Sequence, residues 1–467
     1  MQDRRRVRNG RSEQKDTFLL NFLAVFTALA SAWLLVPESG PIGPRNMAAL
    51  YALDGILTLA FLYLLEKYTV TVSGLYEKFL ITTLSCIYTF GLACLVNAIF
   101  FASREKLAAD ALLAAAKIAG VFAVDAILDR VWGNERYFKK PKLLIVGSTA
   151  ENMPRMKRMK YGALKNYDSW YENTEGLDAE AFDRFVEEQF PPYDAVCILD
   201  GLTDAEYHTA VNTAMKCNKD LFIVPKMIDV GKTNARLVRF DDVLTLYMPK
   251  KSLTRLELAV KRAVDLALSI VGIILAAIPM ACIAAAIKLT SPGPVFYKQV
   301  RLTQDQRAFE MYKFRTMIPD AEKICGPKFA EKDDPRITPV GRFLRACRLD
   351  ELPQLVNIVK GDMSVVGPRP ERPVFVKLFK EEIENYDYRF AVKAGLTSLS
   401  HVYGRYSTYI HDRTYYDLFY ITHYSLFLDF KIILLTTKTL FLKSAAEGEA
   451  DFKEKTVVKT QAEVKTH

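Results

Sequence analysis

The chain of 467 residues holds 63 Lys and Arg against 54 Asp and Glu, a formal charge of +9, and half of it is hydrophobic. That length fits two to four units, but the apolar residues are uneven: four long runs crowd the first 130 residues and a fifth begins near 264. A wholly cytosolic enzyme is disfavoured. So is a pure transporter, because most of 129–262 and 288–467 is polar enough for soluble domains. Aromatic content of 12% argues against disorder in the bulk of the chain. The seven cysteines are scattered and form no CxxC pair, which disfavours a disulfide scaffold or a structural zinc site.

In chain order, residues 1–16 form a basic tail with Arg4, Arg5, Arg6, Arg8, Arg11 and Lys15. Thr17–Val36 is uncharged and, at about 1.5 Å per residue, just crosses a ~30 Å hydrocarbon core. A signal peptide is the rival reading, with Ala30-Ser31-Ala32 as a cleavage site. The apolar run continues through Trp33-Leu34-Leu35-Val36, which favours a retained helix. Asn46–Leu65, Phe79–Phe101 and Leu107–Leu128 complete an expected four-helix bundle over 17–128. The last span is interrupted by Asp110, Lys117 and Asp125. A bare lysine in hydrocarbon costs ~2.5–3.5 kcal/mol on insertion scales. Lys117 is therefore expected to face the bundle near Asp54, or else to lie on a short interfacial helix. Basic residues in the tail and at Arg130, Arg136, Lys139, Lys140 and Lys142 predict that both bundle ends are cytoplasmic.

Residues 129–248 read as a Rossmann-like cytoplasmic α/β domain. Leu143–Gly147, Asp194–Leu199 and Leu221–Val224 are strand candidates, alternating with helices at 150–160, 178–189 and 203–217. The turn Gly147-Ser148-Thr149-Ala150 lacks GxGxxG, so a structural or regulatory domain without ligand is preferred over a nucleotide site.

The fifth run, Leu266–Ile287, is long enough to span. Yet Lys250, Lys251, Arg255, Lys261 and Arg262 precede it, and Lys288, Lys298, Arg301 and Arg307 follow. Basic flanks on both sides call for both ends in the cytoplasm. Pro279 lies mid-run, where proline removes a helix hydrogen bond and clashes with the preceding turn. A re-entrant helix over 264–288, broken at Pro279, satisfies both facts; an ordinary kinked span is the alternative.

Beyond it, signals are dense. Ser291-Pro292-Gly293-Pro294 is followed by Lys313-Phe314-Arg315, Gly341-Arg342-Phe343-Leu344-Arg345, Leu349-Asp350-Glu351-Leu352-Pro353 and Gly361-Asp362 leading to Gly367-Pro368-Arg369-Pro370. Arginine forks bind phosphates bidentately, and carboxylates beside phosphates point to a hard cation such as Mg²⁺. Pro353 suits a first helical turn, which sets Asp350 and Glu351 at or just before a helix N-terminus. Bland alternatives stand beside these. Asp350 alone could be an N-cap, and Asp362 reads better as a turn residue. Arg342 and Arg348 read as a solvated or headgroup-facing surface. The five histidines show no ligand spacing, and the tyrosines of 403–424 read as core and interfacial belt.

This ordered run, over about residues 255–443, resembles the bacterial sugar transferases, monotopic polyprenyl-phosphate glycosyl-1-phosphate transferases. The four spans and α/β domain look like their large, exopolysaccharide-initiating subgroup. The resemblance implies an α-rich catalytic domain, 249–443, lying on a re-entrant membrane helix. It makes Asp350 and Glu351 the catalytic dyad and the carboxylates beside Mg²⁺. It assigns Arg345 and the nucleotide-side loop Gly367, Pro368, Arg369 and Pro370 to the substrate, with Lys313, Arg315 and Arg405 as further phosphate ligands. The implied reaction moves a sugar-1-phosphate from a UDP-sugar to undecaprenyl or another polyprenyl phosphate. It releases UMP and passes through an aspartyl-phosphosugar. Localisation follows as a multi-pass bacterial inner-membrane protein with a cytoplasmic catalytic face.

The chain departs from the family pattern P-G-[LI]-T-G, then Q-V-x-G-R, at Ala394, Ser398 and His401. Two rivals are a membrane-anchored nucleotide-sugar epimerase or dehydratase and an inactive membrane scaffold of polysaccharide assembly. The missing GxGxxG opposes the first and the intact dyad the second. Homo-oligomers through the first helices and middle domain fit the sequence; nucleic acid is not expected as a partner. The polar tail 444–467 reads as disordered.

Overall fold

The computed structural model describes residues 6–7, 17–26, 44–68, 75–100, 104–132, 138–147, 167–199, 201–240, 243–248, 253–319, 334, 336–383, 385–404 and 410–441. The chain divides into two compact units, Met1–Lys226 and Met227–His467. The expected helix at 150–160, the turn residues Ser148–Ala150 and the tail 444–467 lie outside the described residues.

The first unit opens with apolar helices: α1 (Thr17–Phe26), α2 (Pro44–Leu64), α3 (Leu75–Phe100) and α4 (Arg104–Trp132). Among the described residues three helices are long and apolar enough to cross a membrane: Leu75–Ile99, Lys106–Val131 and, in the second unit, Arg255–Thr290. Thr17–Phe26 and the stretch Ala49–Leu64 are shorter.

The charges inside these helices are paired. Lys117 Nζ lies 2.6 Å from Asp54 Oδ2 and donates to Thr58 Oγ1 at 3.0 Å and Thr89 Oγ1 at 3.2 Å. Of the two placements open to Lys117, the bundle-facing one beside Asp54 is found. A second pair, Lys67 with Asp125 at 2.7 Å, is fully buried, and Lys67 also donates to Thr82 Oγ1. An ammonium in apolar surroundings needs such a shell, because its desolvation is otherwise uncompensated.

A four-stranded parallel sheet follows, built from β1 (Lys142–Gly147), β2 (Asp168–Asn173), β3 (Ala195–Ile198) and β4 (Asp220–Ile223) in the order β2-β1-β3-β4. Helices α5 (Ala179–Gln189) and α6 (Asp204–Lys216) join them, close to the expected spans. Asp178 caps α5, and Thr203 with Glu206 forms a capping box on α6. The inner strands are covered on both faces. Leu144, Val146, Val196 and Ile198 meet Phe182, Val186, Ala210 and Ala214; Leu143, Ile145, Ala195 and Cys197 meet Tyr171 and Phe222. That double cover explains their unbroken apolar runs. Strand β2, with sequence DSWYEN, is a half-exposed edge, and its polarity hid it from the sequence pattern.

The second unit begins with α7 (Met227–Lys232) and the hairpin β5 (Arg236–Phe240) and β6 (Val243–Tyr247). Helix α8 (Arg255–Thr290) follows, 36 residues opened by a Thr254–Glu257 capping box. It is continuous through Pro279, so the expected break into two helices is not seen there. One proline removes a single ladder bond, and the apolar residues on either side keep the rest. Only 6% of its most apolar stretch is covered; Leu275 and Ile278 are about three-quarters exposed, at 75% and 78%.

Next come the antiparallel pair β7 (Phe296–Leu302) and β8 (Ala308–Phe314), α9 (Pro339–Ala346) and α10 (Gln354–Lys360). Strand β9 (Ser364–Val366) leads to α11 (Pro373–Glu382) and pairs in parallel with β10 (Gly395–Thr397). Helices α12 (Leu399–Tyr403), α13 (Ile410–Thr422) and α14 (Leu426–Leu440) close the unit. Its main core joins Leu253, Val366, Leu399, Tyr420, Tyr424 and Ile432. Tyr420 and Tyr424 are thus core residues, while Tyr403 is exposed and stacks on Tyr416.

Lys117→Met should strand the Asp54 carboxylate and destabilise the helices by about 3–5 kcal/mol, the range for a buried pair that loses one partner. Adding Asp54→Leu should recover most of that loss. Unfolding of the full chain in mixed micelles, followed by circular dichroism, compares the two. A double variant no more stable than Lys117→Met would show that the pair is not what holds these helices.

Candidate functional site

The site is assembled from short elements that each deliver one side chain. Asp350 and Glu351 sit on a 3-10 turn, Leu349–Glu351, between α9 and α10. Arg348 enters the turn in the left-handed conformation, with φ 55°. Pro353 occupies the N-cap position of α10, immediately ahead of the first turn where the sequence places it. At the other end Gly361, with φ 90°, closes the helix, and Arg262 of α8 donates to the carbonyls of Ile358 at 2.6 Å and Val359 at 2.8 Å.

Two cations converge on Glu351. Lys313 Nζ, from β8, reaches Oε1 at 2.9 Å and lies 4.0 Å from Asp350 Oδ2. Arg369 Nη2 meets the same Glu351 oxygen at 3.0 Å. Asp350 is buried, and Arg345, at the end of α9, adds a nearby positive charge while its Nε bonds Thr316 Oγ1 at 2.9 Å. The loop that carries Arg369 is tightly held. Its carbonyl accepts from Arg389, and the Pro370 carbonyl accepts from Arg301 at 3.1 Å. Gly367 and Gly395 face each other across the β9–β10 seam: a Cβ on Gly367 would come within 2.2 Å of the Lys393 carbonyl, and one on Gly395 within 2.1 Å of Gly367 N. Both positions therefore require glycine.

These contacts set the two carboxylates apart. Burial raises Asp350 above the ordinary aspartate range, with Lys313 opposing and Glu351 adding to the rise. Burial acts the same way on Glu351, but Lys313 and Arg369 outweigh it and hold the group well below the usual carboxylate range. The pair thus offers one firmly ionised carboxylate beside one that is more reluctant. Lys313 and Arg369, with Arg301, Gln354, Gly395 and Leu396, also line a small cavity.

The structure gathers Asp350, Glu351, Arg345, Lys313 and the Gly367–Pro370 loop, and separates others. Arg315 turns its guanidinium to the carbonyls of Pro292 at 2.6 Å and Ser291 at 2.9 Å, closing the turn after α8. Those donors serve the backbone rather than a phosphate. Pro279 stays within α8, and Arg405 lies outside the described residues. Arg342 is exposed as expected, whereas Arg348 is half-buried, and desolvation lowers its pKa beside Glu351. Asp362 pairs with Arg307 at 3.2 Å while its carbonyl accepts from Thr303, the role of a turn residue. His401 is at the site, its Nε2 2.5 Å from Arg369 Nη1. Spacing gave no hint of that contact; the motif departure at 401 was the available signal.

Asp350 and Glu351 are hard oxygen donors, and among the described residues no group of three or more His, Cys, Asp or Glu gathers to hold a metal. Two adjacent carboxylates suit a hard divalent cation whose remaining ligands are not supplied by the protein. Chemically, the arrangement suits transfer of a phosphoryl group: a carboxylate nucleophile beside cations that can offset phosphate charge.

Residues 256–443 match the bacterial sugar transferase family. The chain is 40% identical over 184 residues to a UDP-N-acetylgalactosamine-undecaprenyl-phosphate N-acetylgalactosaminephosphotransferase of Aeromonas hydrophila, covering 39% of this chain and 43% of that protein. It is 34% identical over 232 residues to the UDP-glucose:undecaprenyl-phosphate glucose-1-phosphate transferase of Escherichia coli (strain K12), covering 48% and 50%. It is 36% identical over 189 residues to the exopolysaccharide production protein PSS of Rhizobium leguminosarum bv. phaseoli, covering 39% and 94%. The chain thus spans about half the length of the first two relatives and nearly all of the third.

Asp350 should couple to an amine through a water-soluble carbodiimide at a pH where Glu351 no longer reacts, because its proton is held to higher pH. Lys313→Gln should raise both carboxyls and narrow that difference. Peptide mass spectrometry of labelled protein without added metal reads both residues. Equal labelling of the two in the unaltered chain would contradict the assigned environments.

Proposed function

The chain belongs to the bacterial sugar transferase family, and from that footing we propose that it transfers a sugar-1-phosphate from a UDP-sugar to undecaprenyl or a related polyprenyl phosphate, releasing UMP. The reaction would open the assembly of an exopolysaccharide, capsule or O-antigen repeat unit. The observation that carries this reading is the convergence of Lys313 and Arg369 on Glu351 beside the buried Asp350, in a unit whose long apolar helix is left uncovered.

In the proposed reaction the Asp350 carboxylate attacks the sugar-bearing phosphorus of the donor. An Oδ–P bond forms, the bond to the bridging oxygen breaks, and UMP leaves with that electron pair. An oxygen of the polyprenyl phosphate then attacks the same phosphorus, and Asp350 departs as a carboxylate. The second carboxylate stays ionised under Lys313 and Arg369. These cations, with Arg345, offset charge on the donor phosphates. Asp350 and Glu351 would hold Mg²⁺ together with substrate phosphates, and the ion, when bound, supplies further neutralisation of phosphate charge. Burial of Asp350 keeps water from competing for the adduct.

The membrane setting is part of the proposal. Helices of 17–128 form the bundle, the stretch from 129 to the end of the first unit at Lys226 the α/β domain, and 249–443 the catalytic part, with 227–248 belonging to the same compact unit as the latter. Basic residues flank α8 on both sides, including Arg255, Lys261 and Arg262 before and Lys288, Lys298 and Arg301 after its apolar stretch. Both ends then belong at the cytoplasmic face of the inner membrane, which requires α8, a continuous helix, to bend at Pro279 in the bilayer and return rather than cross, with the site at the face where UDP-sugars and the lipid phosphate meet.

Purified full-length protein in nanodiscs, given a panel of UDP-sugars, Mg²⁺ and polyprenyl phosphate, should release UMP and label the lipid. Without lipid it should accumulate a labelled covalent adduct. Asp350→Asn should lose both, with turnover down by at least about 10³-fold. Retained turnover in Asp350→Asn would overturn the covalent role. Release of an altered UDP-sugar in place of UMP would overturn the transfer itself.

The topology has its own test. Gln306→Cys in an otherwise cysteine-free background should resist membrane-impermeant thiol reagents on intact cells and react after lysis. Labelling of intact cells would mean that α8 crosses the bilayer.

A further inference from the structure

Arg369 is fixed along its backbone by the flanking Pro368 and Pro370, but its side chain is long, and 35% of it is exposed. What aims its fork must act at the tip. Nη2 meets Glu351, and Nη1 meets His401 Nε2 at 2.5 Å. Arginine has only donors. His401 Nε2 must therefore present a lone pair, and the ring proton must sit on Nδ1.

His401 is itself held by a closed circuit of bonds. Its backbone N–H donates to Ser398 Oγ at 3.1 Å, capping α12. Ser398 Oγ lies 2.9 Å from Ser400 Oγ, which donates to Asp417 Oδ1 at 3.4 Å. Asp417 Oδ2 accepts from Arg389 Nη2 at 2.9 Å, and the same nitrogen donates to the Arg369 carbonyl at 2.8 Å. The circuit starts at the backbone of Arg369 and returns to its side chain. It fixes both ends of the residue that reaches Glu351.

We propose that His401, as the neutral Nδ1–H tautomer, is a positioning residue that orients Arg369 toward Glu351 and the donor phosphates. This rests on the phosphosugar-transfer reading. It concerns neither the nucleophile nor the metal. The environment agrees: burial and the Arg369 charge both push the imidazole well below the usual histidine range, against the pull of Glu351. Arg348 and Arg413 add positive charge nearby, further disfavouring the protonated ring.

A glutamine at 401 can present an amide oxygen to Arg369, whereas an alanine cannot. His401→Ala should lower kcat/KM for the UDP-sugar by about 10-fold, within the size that coupling between neighbouring groups reaches. His401→Gln should recover most of that loss. In an Arg369→Ala background, His401→Ala should cost less than about twofold, since the group it positions is gone. A merely structural histidine would cost the same in both backgrounds, and that result overturns the proposal, as does a glutamine as harmful as alanine.

The tautomer is read independently of turnover from ¹⁵N-histidine spectra of the full-length protein. Its five histidines are few enough for the His401 signal to be assigned by its loss in His401→Gln. A protonated Nε2 sinks the idea even in an inactive preparation. Wild-type protein that fails to release UMP while showing the expected tautomer counts against the functional reading alone.

Discussion

The second unit is organised around one electrostatic requirement: a carboxylate at Glu351 that is largely withdrawn from water must meet cations within hydrogen-bonding distance. Neither cation comes from its own element. Lys313 arrives from the β7–β8 pair, and Arg369 from the loop after β9. Each is then placed by a further layer. Asn357 ties α10 to β8 by accepting from Tyr312 N at 2.9 Å and donating to the Glu310 carbonyl at 2.7 Å. Arg389 and Arg301 hold the carbonyls on either side of the Arg369–Pro370 link. A buried charge without such partners would cost several kcal/mol, so the pairing constrains three chain segments at once.

The same logic runs to the polar end of α8. Asp265 accepts from Ser364 Oγ at 3.1 Å and Val365 N at 3.0 Å, and Lys261 pairs with Asp429 at 2.5 Å while donating to the Val366 carbonyl. Tyr420 also bonds Asp429 and Val366. The helix is thus bonded to the strand that leads into the Arg369 loop and, through Arg262, to the far end of the helix that follows the dyad. Polar residues that look like interfacial flanks in sequence serve as struts.

Much of this was legible in the sequence where a local rule governs. Buried parallel strands announce themselves as apolar runs, and a lysine in an apolar span must find an acid, as Lys117 finds Asp54. Asp350, Glu351 and the Gly367–Pro370 loop stood out because the ordered motifs around them resemble those of the bacterial sugar transferases. What stayed hidden depends on long-range contact. Strand β2 is polar because it is an edge. Arg315, beside Lys313 in sequence, points to a different turn, and Arg348 is half-buried although it resembles a surface arginine. His401 meets Arg369 across 32 residues. Ala394 shows the converse: its N–H donates to Thr303 Oγ1, a bond that a proline at that position could not make.

Helix α8 is at once the most lipophilic element of its unit and the source of Lys261, Arg262 and Asp265. Trimming it to obtain a water-soluble fragment would remove the groups that hold the dyad's helix and the Arg369 loop. Residence at the bilayer and integrity of the site are therefore inherited together. A fragment cut after this helix would lose, together with its apolar surface, the bonds that shape the site.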